Sequence, residues 1–470
     1  MVFSSVSFLV FFLPSLLLTY FLVPRRFRGA RNGVLLAFSL VFYACGGVRY
    51  LALLLLSIVI NYLCGLLASD AHSAGTRKLA VVLACVLGPG LLGWFKYSGF
   101  FAEIVNALGV SIPIPHVMLP IGISFFTFQG LSYVIDVARG DVACQRNPFS
   151  VALYVALFPQ LVAGPIVRYT TVEHEITERT ESLEEFSAGL VRFCFGFAKK
   201  MLLANAIGEL TDSIYAVPPD QLSTAAAWLA AVAYSFQIYF DFSAYSDMAI
   251  GLGRMFGFHF PENFNYSFTA DSVADFWRRQ HISLSLWFRD YVYIPLGGSR
   301  RGPAIQIRNL VIVWVLTGLW HGAAWNFIVW GIWFCLFLIG ENFLWKKPLR
   351  SAPAFLRHIY ALLVIAVSMV FFRGPTLSEA LRILRAMFSL RPACGPETYF
   401  VLEYWPELIL CTLASLPIRD AVRTRLERHG GRVCETLLLA GPKVLALALL
   451  GLSYMKLVSG SFNPFIYFHF

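Results

Sequence analysis

"NLVIVWVLTGLWHGAAWNFIVWGIWFCLFLIG", Asn309 to Gly340, runs for 32 residues without an Asp, Glu, Lys or Arg. About 20 apolar residues in a helix cross the ~30 Å hydrocarbon layer of a bilayer, whereas one straight helix over this run would be about 48 Å long. The segment must therefore tilt, project beyond the membrane or break. Gly318 and Gly322 on either side of His321 make a break at the histidine the expected solution. Irregular backbone at membrane depth is tolerated only where protein or a water-filled cavity surrounds it, so His321 is expected to line a cavity.

The rest of the chain has the same character. Of 470 residues, 58% are hydrophobic and 14% charged, and the mean hydropathy is +0.67; soluble proteins carry about 25% charged residues. Apolar stretches recur near 2–23, 33–48, 50–68, 79–95, 117–135, 149–167, 186–208, 225–250, 354–372, 399–417 and 435–458. The expected architecture is an all-α polytopic membrane protein of about 11 to 13 transmembrane or re-entrant helices, because helices satisfy their own backbone where water is absent. No low-complexity linker divides the chain. A single transmembrane domain over 1–470 is expected, with a motif-bearing region at about 117–345, N-terminal helices in 1–95 and C-terminal helices in 354–470.

The first apolar stretch lacks a basic n-region, contains Pro14 and is followed by Arg25, Arg26, Arg28 and Arg31, which argues against a cleaved signal peptide. The positive-inside rule puts that basic loop in the cytoplasm and the N-terminus outside. A net charge of +10 fits cytoplasmic loops and anionic membrane lipids better than nucleic acid. The nine cysteines are scattered, with no C-x-x-C pair, and read as small core residues rather than a disulfide framework or zinc site.

Two interior stretches are polar. Arg168 to Glu185 is a mixed-charge connection expected as a solvated loop or short helix. Arg254 to Arg308 carries seven arginines against Glu262, Asp271, Asp275 and Asp290. Within it, "DFWRRQHISLSLWFRDYVYIPLGG" (Asp275–Gly298) is too charged to cross lipid and too aromatic for an ordinary loop. Trp277, His281, Leu284 and Phe288 recur at helical spacing, as in an amphipathic helix lying in the interface or re-entering the bundle. Its arginines suit either lipid phosphates or a phosphate-bearing donor.

An ionisable residue inside a membrane is costly and by default a functional hypothesis. An imidazole near pKa 6.5 is mostly neutral at pH 7 and can take a proton from a hydroxyl, a step that contributes about 10²- to 10⁴-fold. The alternative for His321 is a structural bond to a neighbouring helix; His281, taken alone, reads as structural or interfacial. No H-x-x-x-H, H-E-x-x-H, P-loop or nucleophile elbow is present, and no metal site is expected. Asp241 and Asp247 fall on different faces of one helical segment and read as packing or capping residues that could pair with nearby arginines.

Three motifs in order, "DFSAYSDMAIGLG", "FWRRQHISLSLWFRDYVYIPLGG" and "LTGLWHGAAWNFIVWG", resemble the membrane-bound O-acyltransferase family. Within it they resemble the alginate O-acetyltransferase branch, which also includes the D-alanyl transfer protein of teichoic acid. "MVFSSVSFLVFFLP", "LPIGISFFTFQGLSYVIDVARGD", "FPQLVAGPIVR" and "SFNPFIYFHF" extend the resemblance over essentially the whole chain. It implies a ring of helices around a thin centre with a cytoplasmic funnel. It places the catalytic histidine on His321 and the second motif histidine on His281, with Trp277, Arg278, Arg279, Arg289, Trp320 and Asn326 as candidate donor-binding residues.

The resemblance further implies acetyl-CoA or another acyl thioester as donor substrate, with no bound cofactor, and a bacterial inner-membrane location. The implied partners are a periplasmic SGNH-hydrolase-like acetyltransferase and a glycan synthase or secretion complex, acting on alginate or another exopolysaccharide. D-alanylation from a carrier protein remains open within the family. A polysaccharide transporter, in which His321 would relay protons, would show inverted repeats, and none is visible.

Overall fold

The computed structural model describes residues 1–115, 117–392 and 396–460, with residues 396–398 described for backbone alone. Every regular element among them is helical. Six helices among the described residues are long and apolar enough to cross a membrane: Val48–Leu67, Ala74–Ala107, Pro303–His321, Trp325–Leu344, Ala354–Arg373 and Arg432–Ser459. A bent pair, Tyr399–Ala414 with Ile418–His429, makes up to seven.

The chain is an integral, all-helical membrane protein, but several apolar stretches counted in the sequence are not long spans. Residues 149–167 become Pro148–Ala156 and Phe158–Leu161, and 186–208 passes through a π-helical segment at Lys199–Ala204. Proline and π-bulges interrupt the i→i−4 ladder at such places. The C-terminal motif "SFNPFIYFHF" and Cys394 lie outside the described residues. Of the other cysteines, Cys64, Cys194, Cys335 and Cys411 are buried while Cys45 and Cys85 are exposed, so the core reading holds for only some of them.

Two compact units share the chain: Met1–Phe193 with Tyr245–Pro261, and Cys194–Ala244 with the residues from Glu262 onward. In the first, Phe3, Phe8, Phe12, Phe42 and Phe158 form an aromatic core with neighbouring ring centroids 5.0–6.3 Å apart. Helix Val48–Leu67 lies so close to Ile123–Arg139 that a Cβ on Gly130 would stand 2.2 Å from the Asn61 side chain, the small-residue packing expected of membrane helices.

The polar connection Arg168–Glu185 is more buried than its charge suggests. Helix Tyr169–Glu178 buries Tyr169, Val172 and Ile176. Glu181, also buried, accepts from the Tyr20 hydroxyl and pairs with Arg28 at 2.5 Å and Arg31 at 3.0 Å. Burial opposes the charge on Glu181, but the Arg28 and Tyr20 hydrogen bonds and the nearby guanidinium charges win and hold its carboxyl at about 2.

The second unit carries the uncharged run. Helix Pro303–His321 ends at the histidine, Gly322 to Ala324 are non-helical, and Trp325–Ile339 begins the return. A Cβ on Gly318 would meet the Phe327 carbonyl oxygen at 2.4 Å, and one on Gly331 would meet that of Trp314 at 2.3 Å. These pairings rise on one helix as they fall on the other, so the two helices are antiparallel and touch backbone to backbone. The break expected at His321 is present, and it takes the form of a full chain reversal rather than a kink in one span.

Asp241 and Asp247 point to different partners. Asp241 pairs with Lys200 at 2.6 Å in the second unit, and Asp247 with Arg192 at 2.9 Å in the first. They are ion-pairing residues, as their separate faces suggested.

Candidate active site

The Asp275–Gly298 stretch is not one amphipathic helix. It is two short helices, Val273–Arg279 and Ile282–Phe288, followed by a π-helical turn at Arg289–Tyr293. The interruption is His281, whose φ of +47° lies in the left-handed region, uncommon for a residue with a Cβ. Both ends of the first helix are fastened. Glu341 accepts from the N–H groups of Val273 at 2.7 Å and Ala274 at 2.9 Å, and the Arg279 carbonyl accepts from Asn265 N–H at 2.9 Å and the Ser267 hydroxyl at 3.0 Å.

Asn263, fully buried, holds His281 in this conformation. Its carbonyl accepts from Ile282 N–H at 2.9 Å. Its Oδ1 accepts from Ser283 N–H at 3.2 Å and the Ser283 hydroxyl at 2.8 Å, and lies 3.3 Å from His281 Nδ1. A backbone N–H can only donate, so the shared atom is an acceptor oxygen and Nδ1 carries the hydrogen. His281 is therefore the Nδ1–H tautomer with its basic lone pair on Nε2. Burial pushes its pKa down to about 3, which keeps it neutral at ordinary pH.

The two histidines converge through one ring. Trp320 lies with its centroid 5.7 Å from that of His281 and 4.9 Å from that of His321. Phe242 closes the other side of His281 at 4.6 Å. The buried His321 ring is boxed by Trp320, by Trp330 at 4.9 Å and by Phe372 at 5.1 Å. Trp330 in turn touches Trp277 at 5.7 Å, and Trp277 packs on Trp314 at 4.8 Å. The three rings around His321 stand at 73–85° to the imidazole plane and keep the buried ring from water. Among the described residues no group of three or more His, Cys, Asp or Glu side chains gathers into a metal-binding cluster.

A cavity of about 190 Å³ lies beside this aromatic wall, lined by Trp277, Phe288, Arg289, Tyr293, Trp314 and Thr317 among others. Neither histidine lines it; Thr317 is one helical turn before His321, and Trp277 and Trp314 form the partition.

The polar residues expected to bind a donor are dispersed. Arg278 is exposed. Arg279 is held by Asp275 at 2.8 Å within its own helix. Arg289 lines the cavity and pairs with Asp290 at 2.6 Å. Asn326 donates to the carbonyls of Phe371 at 3.1 Å and Gly374 at 2.8 Å, closing the C-terminal end of helix Ala354–Arg373. Structure thus brings His321, His281, Trp320 and Trp277 together, while Arg278 is exposed and Arg279 is engaged by Asp275. It also adds Asn263, Trp330 and Phe372, which no spacing in the sequence singled out.

The model of the MBOAT, membrane-bound O-acyltransferase family, matches residues 116–378. Over the full length of both chains the protein is 38% identical to the probable alginate O-acetylase AlgI of Azotobacter vinelandii. It is 35% identical to the peptidoglycan O-acetyltransferase of Helicobacter pylori, over 83% of this chain and 80% of that protein. Similarity to the teichoic acid D-alanyltransferase of Bacillus subtilis is 29% identity over 51% of this chain and 64% of that one.

Proposed function

The chain belongs to the membrane-bound O-acyltransferase family, and from that premise we propose that it moves an acetyl group from a cytosolic thioester, acetyl-CoA, toward O-acetylation of a glycan outside the cytoplasmic membrane, with His321 as general base. The observation that carries this reading is the pair of buried imidazoles meeting on Trp320, one of them held in a single tautomer by Asn263. The chain is an O-acyltransferase; the similarity to O-acetylases extends over its full length, whereas that to a D-alanyltransferase covers half of it.

In the proposed step the acceptor hydroxyl gives its proton to His321 as its oxygen attacks the thioester carbonyl. A C–O bond forms, the C–S bond breaks, and the imidazolium returns the proton to the departing thiolate. His281, neutral with its lone pair on Nε2, is suited to accept a hydrogen bond from the reacting groups. The cavity beside Trp277 and Trp314 would receive the donor's thiol arm, with Arg289 at its polar end. The acceptor is proposed to be a serine of a periplasmic SGNH-hydrolase-like partner working with a glycan synthase or secretion complex. The same reading has the chain in the bacterial inner membrane, with its N-terminus in the periplasm on the positive-inside argument from Arg25, Arg26, Arg28 and Arg31.

The test is acetyl release from labelled acetyl-CoA by the purified protein, beside the O-acetyl content of the cell's secreted glycan. His321→Ala should abolish both at unchanged protein level. Undiminished acetylation in that variant would sink the base assignment, and label retained on CoA with turnover of a charged carrier protein would move the reading to D-alanylation.

A further inference from the structure

Helix Ile418–His429 has no buried residue, although it connects two apolar helices. It bends 57° away from Tyr399–Ala414 and is followed by the 28-residue span Arg432–Ser459. Its charge and exposure suit a place where the chain turns at a membrane surface. At about 100° per residue, Ile418, Val422 and Leu426 fall within an arc of about 80°. Arg419 and Arg423 flank that stripe on one side, and Arg425 and Arg428 flank it on the other. Asp420 and Glu427 lie about 140° to 160° from its centre. Ile418 and Val422 are 42% and 51% exposed.

This is the charge pattern of a helix lying in a lipid interface: apolar face toward acyl chains, arginines reaching sideways to the phosphate layer, acids toward water. An acidic soluble protein would satisfy the arginines but leave the stripe between them uncovered. Arg423 pairs with Glu427 at 2.8 Å, but both are exposed, and a surface i,i+4 pair is too weak to withhold the guanidinium from a phosphate.

We propose that Ile418–His429 binds anionic phospholipid headgroups, with Arg423, Arg425 and Arg428 on the phosphates and Ile418, Val422 and Leu426 in the acyl boundary. The element is not an isolated anchor. Asp420 lies beside the Tyr266 hydroxyl, and Tyr266 adjoins Asn265 and Ser267, which hold the Arg279 carbonyl just before His281. The Arg419 guanidinium stands 5.8 Å from the Phe195 ring. The first turn thus fastens the helix to the loop that bears Asn263, while the later arginines remain for lipid.

The experiment is native mass spectrometry of the full-length protein in detergent, titrated with dioctanoyl phosphatidylglycerol, dioctanoyl phosphatidylcholine or inorganic phosphate. The wild type should prefer phosphatidylglycerol to phosphatidylcholine at least tenfold. The R423Q/R425Q/R428Q variant should lose on the order of 100-fold in phosphatidylglycerol affinity at low salt, since each basic residue near an anionic surface contributes about fivefold, with phosphatidylcholine binding unchanged. The lysine triple variant should keep the preference, and Val422→Asp, which spares every arginine, should weaken it through the apolar stripe. Equal binding of the two lipids by the wild type would overturn the proposal. So would an unaffected glutamine variant, displacement of lipid by inorganic phosphate, or displacement by polyglutamate.

Discussion

Asn263→Ala tests the site through a residue that never touches the reacting atoms. The substitution removes one oxygen on which three donors converge: His281 Nδ1–H, Ser283 N–H and the Ser283 hydroxyl. Each such bond nets about 1 kcal/mol, and a buried donor left unpaired costs about 1–3 kcal/mol. His281 would also keep a left-handed backbone that costs about 1–3 kcal/mol with less to compensate it. A loss of roughly 3 to 5 kcal/mol in stability follows from these terms, read as a lowered thermal midpoint of the purified protein. Acetyl release should fall on the order of 10- to 100-fold in the folded fraction, by analogy with the loss when the partner that orients a metal-bound histidine is removed.

Asn263→Asp separates packing from electrostatics. The carboxylate keeps an acceptor for all three donors, so most of the stability should return. Its negative charge favours the imidazolium, so the pKa of His281 should rise from about 3 and bring a new acidic limb into the pH–rate profile. If both variants match the wild type in midpoint, rate and pH profile, the reasoning about His281 is refuted.

Gly331→Val should push the hairpin apart, because its Cβ would stand 2.3 Å from the Trp314 carbonyl oxygen, a backbone atom with little room to yield; a loss of about 1–3 kcal/mol or more should appear as a lower thermal midpoint. Asn326→Ala should lower stability by about 1–3 kcal/mol by freeing the Phe371 and Gly374 carbonyls while leaving the KM for acetyl-CoA unchanged; a raised KM at normal stability would return Asn326 to the donor site. Stability should also fall in acid. Glu181 sits at about 2 in the folded protein against 4.5 for the free side chain, so its contribution is complete above pH 4.5 and disappears as pH drops toward 2. Unfolding midpoints between pH 6 and 3 check this, and Glu181→Gln should flatten the dependence while lowering stability throughout, since Arg28 and Arg31, and Arg179 at 3.8 Å, would lose their shared carboxylate.

The amino-acid sequence by itself determined the solvent and the class of fold, because hydrocarbon excludes charge and forces the backbone into helices. It also located the break at His321, since 32 uncharged residues are too many for one straight crossing. It named His321, His281, Trp320 and Trp277 by their company, and structure assembled those four. Tertiary structure alone decided that the break is a reversal, because only the contacts of Gly318 and Gly331 distinguish an antiparallel hairpin from a kink. It alone divided the aromatic segment at His281, where a left-handed residue persists on bonds from Asn263, 18 positions away. Helical periodicity reports which residues share a face if the helix continues; it carries no trace of a distant amide that makes the helix stop. The arginines were legible as charge, but whether a guanidinium faces a donor, a neighbouring carboxylate or lipid depends on what folding brings within 3 Å of it.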